Sequence, residues 1–297
     1  GKKEKDVKIE INNPIYDVEG RYLAIGENNG QRLYLISEDH VIWEKSVDGN
    51  LDKVTVNKNG YVSAIVTGTT YKSVIITYDE KGNELFKTYL SKTIAVDACV
   101  SPDNAEFAYA EVNNSGTTIQ SNIKIISIKD VKEKNTEPKY EYNAAQGSLI
   151  LRIKYQDKSR LICMYDDSIH KFETGVDVEL TKLNEDNPKI TFADIELNNY
   201  IFRTYEKSTS LFSADTIIEM QNTSNGKENV YTIEEVAKSV VSNNNVIAVN
   251  LGNEVYFVET NAWLIKRYSS SQVIEKIILG DGVAGIIYSD KIEIVNL

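Results

Sequence analysis

The chain predicts an all-β fold, a seven-bladed β-propeller, and three observations lead there. Its apolar segments are short and rich in Val, Ile, Thr and Tyr, the residues that suit strands. One stretch, Leu51 to Leu90, reads as four strands in a row: Lys53–Asn57, Tyr61–Thr67, Ser73–Tyr78 and Glu84–Leu90. They are broken by turn residues at Asn59-Gly60, Gly68 and Lys81-Gly82-Asn83. The unit then recurs. The last apolar residues of successive inner strands, Val18, Val56, Val100, Tyr155, Leu197, Val241 and Leu279, lie 38 to 55 residues apart. A four-strand repeat of about 40 to 45 residues is a propeller blade. Six or eight blades, or a pair of β-sandwiches, are the alternatives.

Taken in order, Val7–Ile11 is a strand-like run that Pro14 stops. The first repeat follows, with Ile15–Val18, Arg21–Gly26, a hairpin turn at Asn28-Asn29-Gly30, then Arg32–Ser37 and Val41–Val47. The second is Leu51–Leu90. The third starts near Ala95, carries Ser101-Pro102-Asp103-Asn104 as a tight turn, and takes a polar insertion from Lys129 to Pro138. The fourth spans about Leu149–Leu183 and the fifth Ile190–Val236, with a helical turn expected over Ile233–Ser239. The sixth spans Lys238–Tyr268. The seventh begins near Ile274 with strands at Val283–Tyr288 and Ile292–Leu297. It lacks an outer strand, while the first repeat is preceded by a spare one. The last blade is therefore expected to be closed by the N-terminal strand, Val7–Ile11 alongside Ile292–Val295, which would leave no open sheet edge.

Composition narrows the function classes. With 297 residues the chain can form one propeller domain over 1–297. A net charge of -11 argues against nucleic acid or an anionic membrane as the main partner. No apolar run approaches the roughly 20 residues that span a bilayer. Residues 1–6, opening Gly1-Lys2-Lys3, read as a tag remnant or linker. They fit a removed signal or membrane anchor, and a removed tag alone fits the Gly equally well. Cys99 and Cys163 lie in apolar strand patterns and read as buried free thiols, with a disulfide as the alternative.

Two local motifs carry a resemblance. Ser101-Pro102-Asp103-Asn104 followed by Phe107-Ala108-Tyr109 resembles the Ser-Pro-Asp-Gly turn of WD40-like repeats, with Asn104 in place of the Gly. Asp79-Glu80-Lys81-Gly82-Asn83-Glu84-Leu85-Phe86 resembles the Asp-x-x-Gly turn of quinoprotein-type blades, with Phe86 where Trp is usual. In architecture and composition the chain looks most like uncharacterised, membrane-anchored propeller ectodomains of Gram-positive bacteria. That resemblance implies an extracytoplasmic place on the cell surface and no known activity.

The chemistry-bearing residues are sparse. Quinone-dependent propellers stack their cofactor on Trp, but Trp43 and Trp263 are the only two and both fall at outer-strand positions, where burial between blades with a bonded indole N–H is expected. No cofactor is expected. His40 and His170 are the only histidines and, with the two cysteines, are too scattered for a zinc site. No Gly-x-Ser-x-Gly elbow or phosphate loop is present. A carboxylate pair of the glycosidase kind has no sequence spacing to recognise, so a propeller hydrolase or lyase stays open.

One constellation comes from aligning the repeats. Three residues before each inner-strand end stand Ile15, Lys53, Asp97, Arg152, Asp194, Lys238 and Lys276, all but the first charged. Strand starts lie near one mouth of a propeller channel. These residues are candidates either for inter-blade ion pairs, Lys53–Asp97, Asp97–Arg152 and Arg152–Asp194, or for a ligand site. The expected function is that of a non-enzymatic, monomeric binding, sensor or protein-interaction domain, with a protein or a polar, anionic ligand at the mouth. A propeller hydrolase or a cytoplasmic scaffold is the alternative.

Overall fold

The computed structural model describes residues 7–38, 40–132, 137–184, 188–210 and 213–297. Its strands form seven successive antiparallel sheets, each ordered as in the chain, and the fold is a seven-bladed β-propeller. Sheet 1 holds β1 (Pro14–Glu19), β2 (Tyr22–Glu27), β3 (Arg32–Ser37) and β4 (His40–Ser46). Sheet 2 holds β5 (Asn50–Val56), β6 (Val62–Thr67), β7 (Ser73–Tyr78) and β8 (Glu84–Leu90). Sheet 3 holds β9 (Ile94–Val100), β10 (Glu106–Asn113), β11 (Gln120–Ser127) and β12 (Tyr140–Asn143), with the short helix α1 (Ile128–Lys132) at the expected insertion. Sheet 4 holds β13 (Ile150–Tyr155), β14 (Arg160–Tyr165), β15 (Ser168–Glu173) and β16 (Val176–Lys182). Sheet 5 holds β17 (Ile190–Asp194), β18 (Tyr200–Ser208), β19 (Ala214–Asn222) and β20 (Glu228–Ile233). Sheet 6 holds β21 (Ser239–Asn243), β22 (Val246–Asn250), β23 (Glu254–Glu259) and β24 (Leu264–Ser269). Sheet 7 holds β25 (Lys276–Leu279), β26 (Val283–Ile287) and β27 (Ile292–Asn296).

Among the described residues the seventh sheet has three strands where the others have four. Val7–Ile11, expected to supply the fourth, alternates in burial but carries no strand. No helical turn forms over Ile233–Ser239, where β20 ends and β21 begins. The tag or linker reading of residues 1–6 falls outside the described residues.

Contacts divide the chain into two units, Gly1–Asp166 with Phe172–Asp177, and Asp167–Lys171 with Val178–Leu297. In the first unit each pair of neighbouring sheets encloses its own core. Sheets 1 and 2 bury Ala24, Leu33, Leu35, Leu51 and Val66. The approach is closest at Gly26, where a Cβ would collide with the Leu51 side chain. Sheets 2 and 3 bury Ile65, Ile75, Phe86 and Phe107, and sheets 3 and 4 bury Ala108, Ile123, Leu161 and Phe172. Each fully buried Leu, Ile, Val or Phe side chain among these contributes roughly 1.5–3 kcal/mol.

Turn chemistry explains the resemblance noted above. Ser101 Oγ donates to Asp103 Oδ1 at 2.7 Å, and Asn104 takes the left-handed φ of 59° that a Gly would take. Asn104 adds what Gly cannot. Its Oδ1 accepts from Asn57 Nδ2 at 2.7 Å and Asn59 Nδ2 at 3.1 Å, joining the turns of sheets 2 and 3. In the second unit, sheets 5 and 6 bury Phe202, Ile218, Met220 and Val249, and sheets 6 and 7 bury Phe257, Ile277, Ala284 and Ile286.

Candidate functional site

The inner strands of sheets 2 to 5 each carry a β-bulge near their start. Pairing skips Asp52 between Leu51 and Lys53, Val96 between Ala95 and Asp97, Leu151 between Ile150 and Arg152, and Thr191 between Ile190 and Phe192. A bulge kinks the strand and re-aims the side chain that follows. Lys53, Asp97 and Arg152 are each the residue after a bulge, so the sequence alignment of these three is the structural one. In sheet 5 that position belongs to Phe192, and Asp194 stands two residues further on.

In the first unit the charged positions act as inter-sheet joints. Lys53 Nζ lies 2.8 Å from Asp97 Oδ1, as expected. Asp97 is held on its other side as well. Its Oδ2 accepts the backbone N–H of Ile153 at 2.9 Å, so one carboxylate, only 1% exposed, ties sheets 2, 3 and 4 together. A buried charge needs this degree of satisfaction. Asp17, which the alignment passed over, does the same on β1, accepting Val56 N–H at 2.8 Å. Thr55 Oγ1 donates to Ala98 O at 2.5 Å. Lys154 of β13 reaches Glu19 of β1 at 3.6 Å, an ion pair between inner strands that are not neighbours.

Beside Asp97 the thiol of Cys99 is pushed well up, by burial first and by the Asp97 charge second. Burial also raises Cys163. Both thiols are free, so the disulfide alternative is not formed, and raised thiols are poor nucleophiles at neutral pH. Burial pushes Tyr155 well above the ordinary phenol value too.

The second unit treats its charged positions differently. Asp194 Oδ2 accepts from Ser242 Oγ on β21 at 2.8 Å, and Oδ1 accepts the N–H of Ile195. Lys238 precedes β21, is exposed, and lays its ammonium over Gly252. Lys276, the first residue of β25, is also exposed. Neither lysine makes an ion pair among the described residues. No group of three or more His, Cys, Asp or Glu side chains there is placed to hold a metal. No helix is long and apolar enough to cross a membrane.

A shallow surface depression lies elsewhere, against sheet 5. It is lined by Thr181, Phe202, Arg203, Glu219, Gln221 and Glu228, with Arg203 Nε 2.8 Å from Glu219. The tryptophans part company. Trp43 is 7% exposed and packs against Tyr78 with ring centroids 5.5 Å apart, but its Nε1 finds no hydrogen-bond partner among the described residues. Trp263, expected to be buried, is 71% exposed at the β23–β24 turn. The bulges and Asp17 gave no sequence signal. The exposure of Trp263 was hinted at by its place inside a turn, Glu259 to Leu264, rather than within the strand.

Antiparallel sheets repeated along the chain, with inner strands joined by side chains, define a propeller of the WD40-like kind. The chain belongs to DUF5711, a family of unknown function, over residues 1–297. No curated protein matches it. Solved structures share the fold. Kuenenia stuttgartiensis hydrazine synthase matches with TM-score 0.57 and 10% identity, covering 98% of this chain and 97% of that one. Kluyveromyces lactis Hsv2 matches with TM-score 0.54 and 13% identity, covering 92% and 90%. The C-terminal WD40 domain of Sif2 matches with TM-score 0.51 and 12% identity, covering 95% of each. At such identities the likeness is one of fold alone.

Proposed function

We propose that the chain is a non-enzymatic binding domain, working outside the cytoplasm from a membrane-anchored position, that takes a protein or a polar, anionic ligand at inner-strand starts. The observation that carries the binding reading is the contrast among the aligned charges. Asp97 and Asp194 are engaged by neighbouring inner strands, whereas Lys238 and Lys276 are exposed without an ion pair among the described residues. The inner strands that follow Lys238 and open at Lys276, β21 and β25, belong to adjoining sheets with a shared core. Two uncompensated ammonium groups in a chain of net charge -11 suit an anionic group of a ligand or an acidic segment of a partner. The extracytoplasmic, anchored location is supported by the family resemblance of architecture and composition.

The test is thermal. Sulfate or a short acidic glycan should raise the Tm of the wild type and not that of the Lys238→Ala/Lys276→Ala double variant. The stabilisation follows ligand concentration over Kd, about 2.7 kcal/mol at a hundredfold excess. Equal shifts in both proteins would overturn the reading.

A further inference from the structure

We propose that the tip of the β23–β24 turn is a second binding site, at which Trp263 stacks against a pyranose ring of a neutral, β-linked glycan. Trp263 is 71% exposed, the most exposed of the large hydrophobic side chains among the described residues. An indole left in water forgoes a large apolar burial, and exposed aromatic rings of this size anchor ligands and partners.

The turn holds the ring outward and still. Ala262 adopts φ 65°, a conformation that disfavours a Cβ, and its methyl packs inward on the core of sheets 5 and 6. That inward residue leaves the next one, Trp263, pointing away. Glu259 N–H donates to Trp263 O at 2.8 Å, Ala262 N–H to Glu259 O at 2.9 Å, and Trp263 N–H to Asn261 Oδ1 at 3.0 Å. Two further bonds moor the turn sideways. Asn229 Nδ2 on β20 donates to Thr260 O at 2.8 Å, and Thr260 N–H donates to Asn245 O at 3.1 Å. A platform already ordered loses little freedom on binding.

The surroundings select the ligand. Asn245, exposed beside the turn, has a side chain that makes no hydrogen bond among the described residues. A primary amide both donates and accepts, which matches a sugar hydroxyl and no single-sign charge. Glu259, in the same turn, accepts from Asn261 Nδ2 at 3.0 Å, which holds that carboxylate to the turn itself. A polyanion would meet a chain of net charge -11. A β-linked pyranose instead offers a flat C–H face to the indole and a rim of hydroxyls to the amide.

The experiment uses intrinsic fluorescence, because Trp43 is buried and acrylamide will quench Trp263 first. Cellohexaose and the hexamer of β-1,4-linked N-acetylglucosamine are the probes, taken to about 10 mM to reach millimolar affinities. Either hexamer should protect Trp263 from quenching in the wild type. Trp263→Tyr should retain weakened binding, read as a several-fold higher Kd by titration calorimetry. Trp263→Ala should abolish binding with its Tm unchanged, and Asn245→Ala should raise the Kd several-fold. No protection by either hexamer, binding that survives in Trp263→Ala, or protection by oligolysine in place of the sugars would each overturn the proposal. The acidic-ligand test at Lys238 and Lys276 leaves Trp263 untouched, so the two proposals fail separately.

Discussion

The two units join their sheets by different chemistry. In the first, neighbouring sheets meet through aromatic rings and ionised groups. Trp43 meets Tyr78, Phe86 meets Phe107 at 5.4 Å, Tyr142 meets Phe172 at 4.4 Å, and the Asp97 carboxylate binds strands on both sides. In the second, neutral amides bond to backbone carbonyls of the next sheet. Asn243 Nδ2 donates to Leu279 O at 2.9 Å, Asn250 Nδ2 to Ile274 O at 3.1 Å and Asn229 Nδ2 to Thr260 O at 2.8 Å. The turns show a similar bias, although Asn57 and Asn113 also close turns in the first unit. Asp79 and Asp157 close turns in the first unit, whereas Asn222, Asn250 and Asn261 do so in the second. Either chemistry satisfies the backbone; a carboxylate also joins sheets 5 and 6, where Asp194 accepts from Ser242, but among the described residues only the first unit packs aromatic rings across its sheets.

The largest effects should fall on the first unit. Trp43→Ala removes a buried ring against Tyr78 and should cost about 3–5 kcal/mol. Asp97→Ala leaves the Lys53 ammonium and the Ile153 N–H without their partner and should cost about as much, roughly 3–5 kcal/mol, as the breaking of a buried pair does. Denaturant titration measures both, and a loss below about 1 kcal/mol for either would break the comparison. Asn243→Ala and Asn250→Ala, which delete a neutral donor, should each cost less, about 1–3 kcal/mol.

Acid should then separate the units. Desolvation pushes the Asp79 carboxyl up, but hydrogen bonds from Asn83 and Lys81 outweigh it and hold the group below its ordinary value. At Asp157 desolvation is likewise outweighed, by the amides of Ser159 and Arg160 and by the Arg160 charge. Their contribution is complete above the unfolded value of about 3.9 and is lost as pH falls through the lower, folded value. Amide hydrogen exchange at Lys81, Asn83, Ser159 and Arg160 should therefore lose protection in acid relative to its value at neutral pH. Protection at Ser224, Gly252 and Trp263, whose acceptors are amides, should follow the intrinsic exchange rate alone. The smallest effect is expected at Trp263→Ala, within about 0.5 kcal/mol of wild type. A larger loss would mean that the exposed ring supports the fold after all.

The repeat, its strands and most of its turns were legible because they are local. Period, β-branched runs and Asn-Gly or Asp-x-x-Gly turns are written in consecutive residues. The partners of the aligned charges were legible only where a bulge happened to keep the count. Lys53 found Asp97, but the bulge at Thr191 put Phe192 at the place assigned to Asp194. Leu197, from which the count ran, lies three residues past the end of β17 at Asp194, so the count stopped two residues short of Phe192. Asp17, the fourth residue of β1, was missed because the same count from Val18 falls on Ile15, and sheet 1 has no bulge to mark the place. Trp43 and Trp263 looked alike because each was read into an outer strand, although Trp43 lies within β4 and Trp263 in the turn before β24. Their fates differ because Tyr78 and Gly82 of the next sheet cover the first, while the second lies beyond its last core neighbour, Ala262.

The contact between Gly26 and Leu51 has a genetic consequence. Every single-base change that turns a glycine codon into another amino acid adds a Cβ, and here it would collide with a side chain that is itself fully buried. Overpacking of this kind costs about 1–3 kcal/mol, a few degrees of Tm in a protein of this size. Codon 26 is therefore a place to look for temperature-sensitive alleles of this protein.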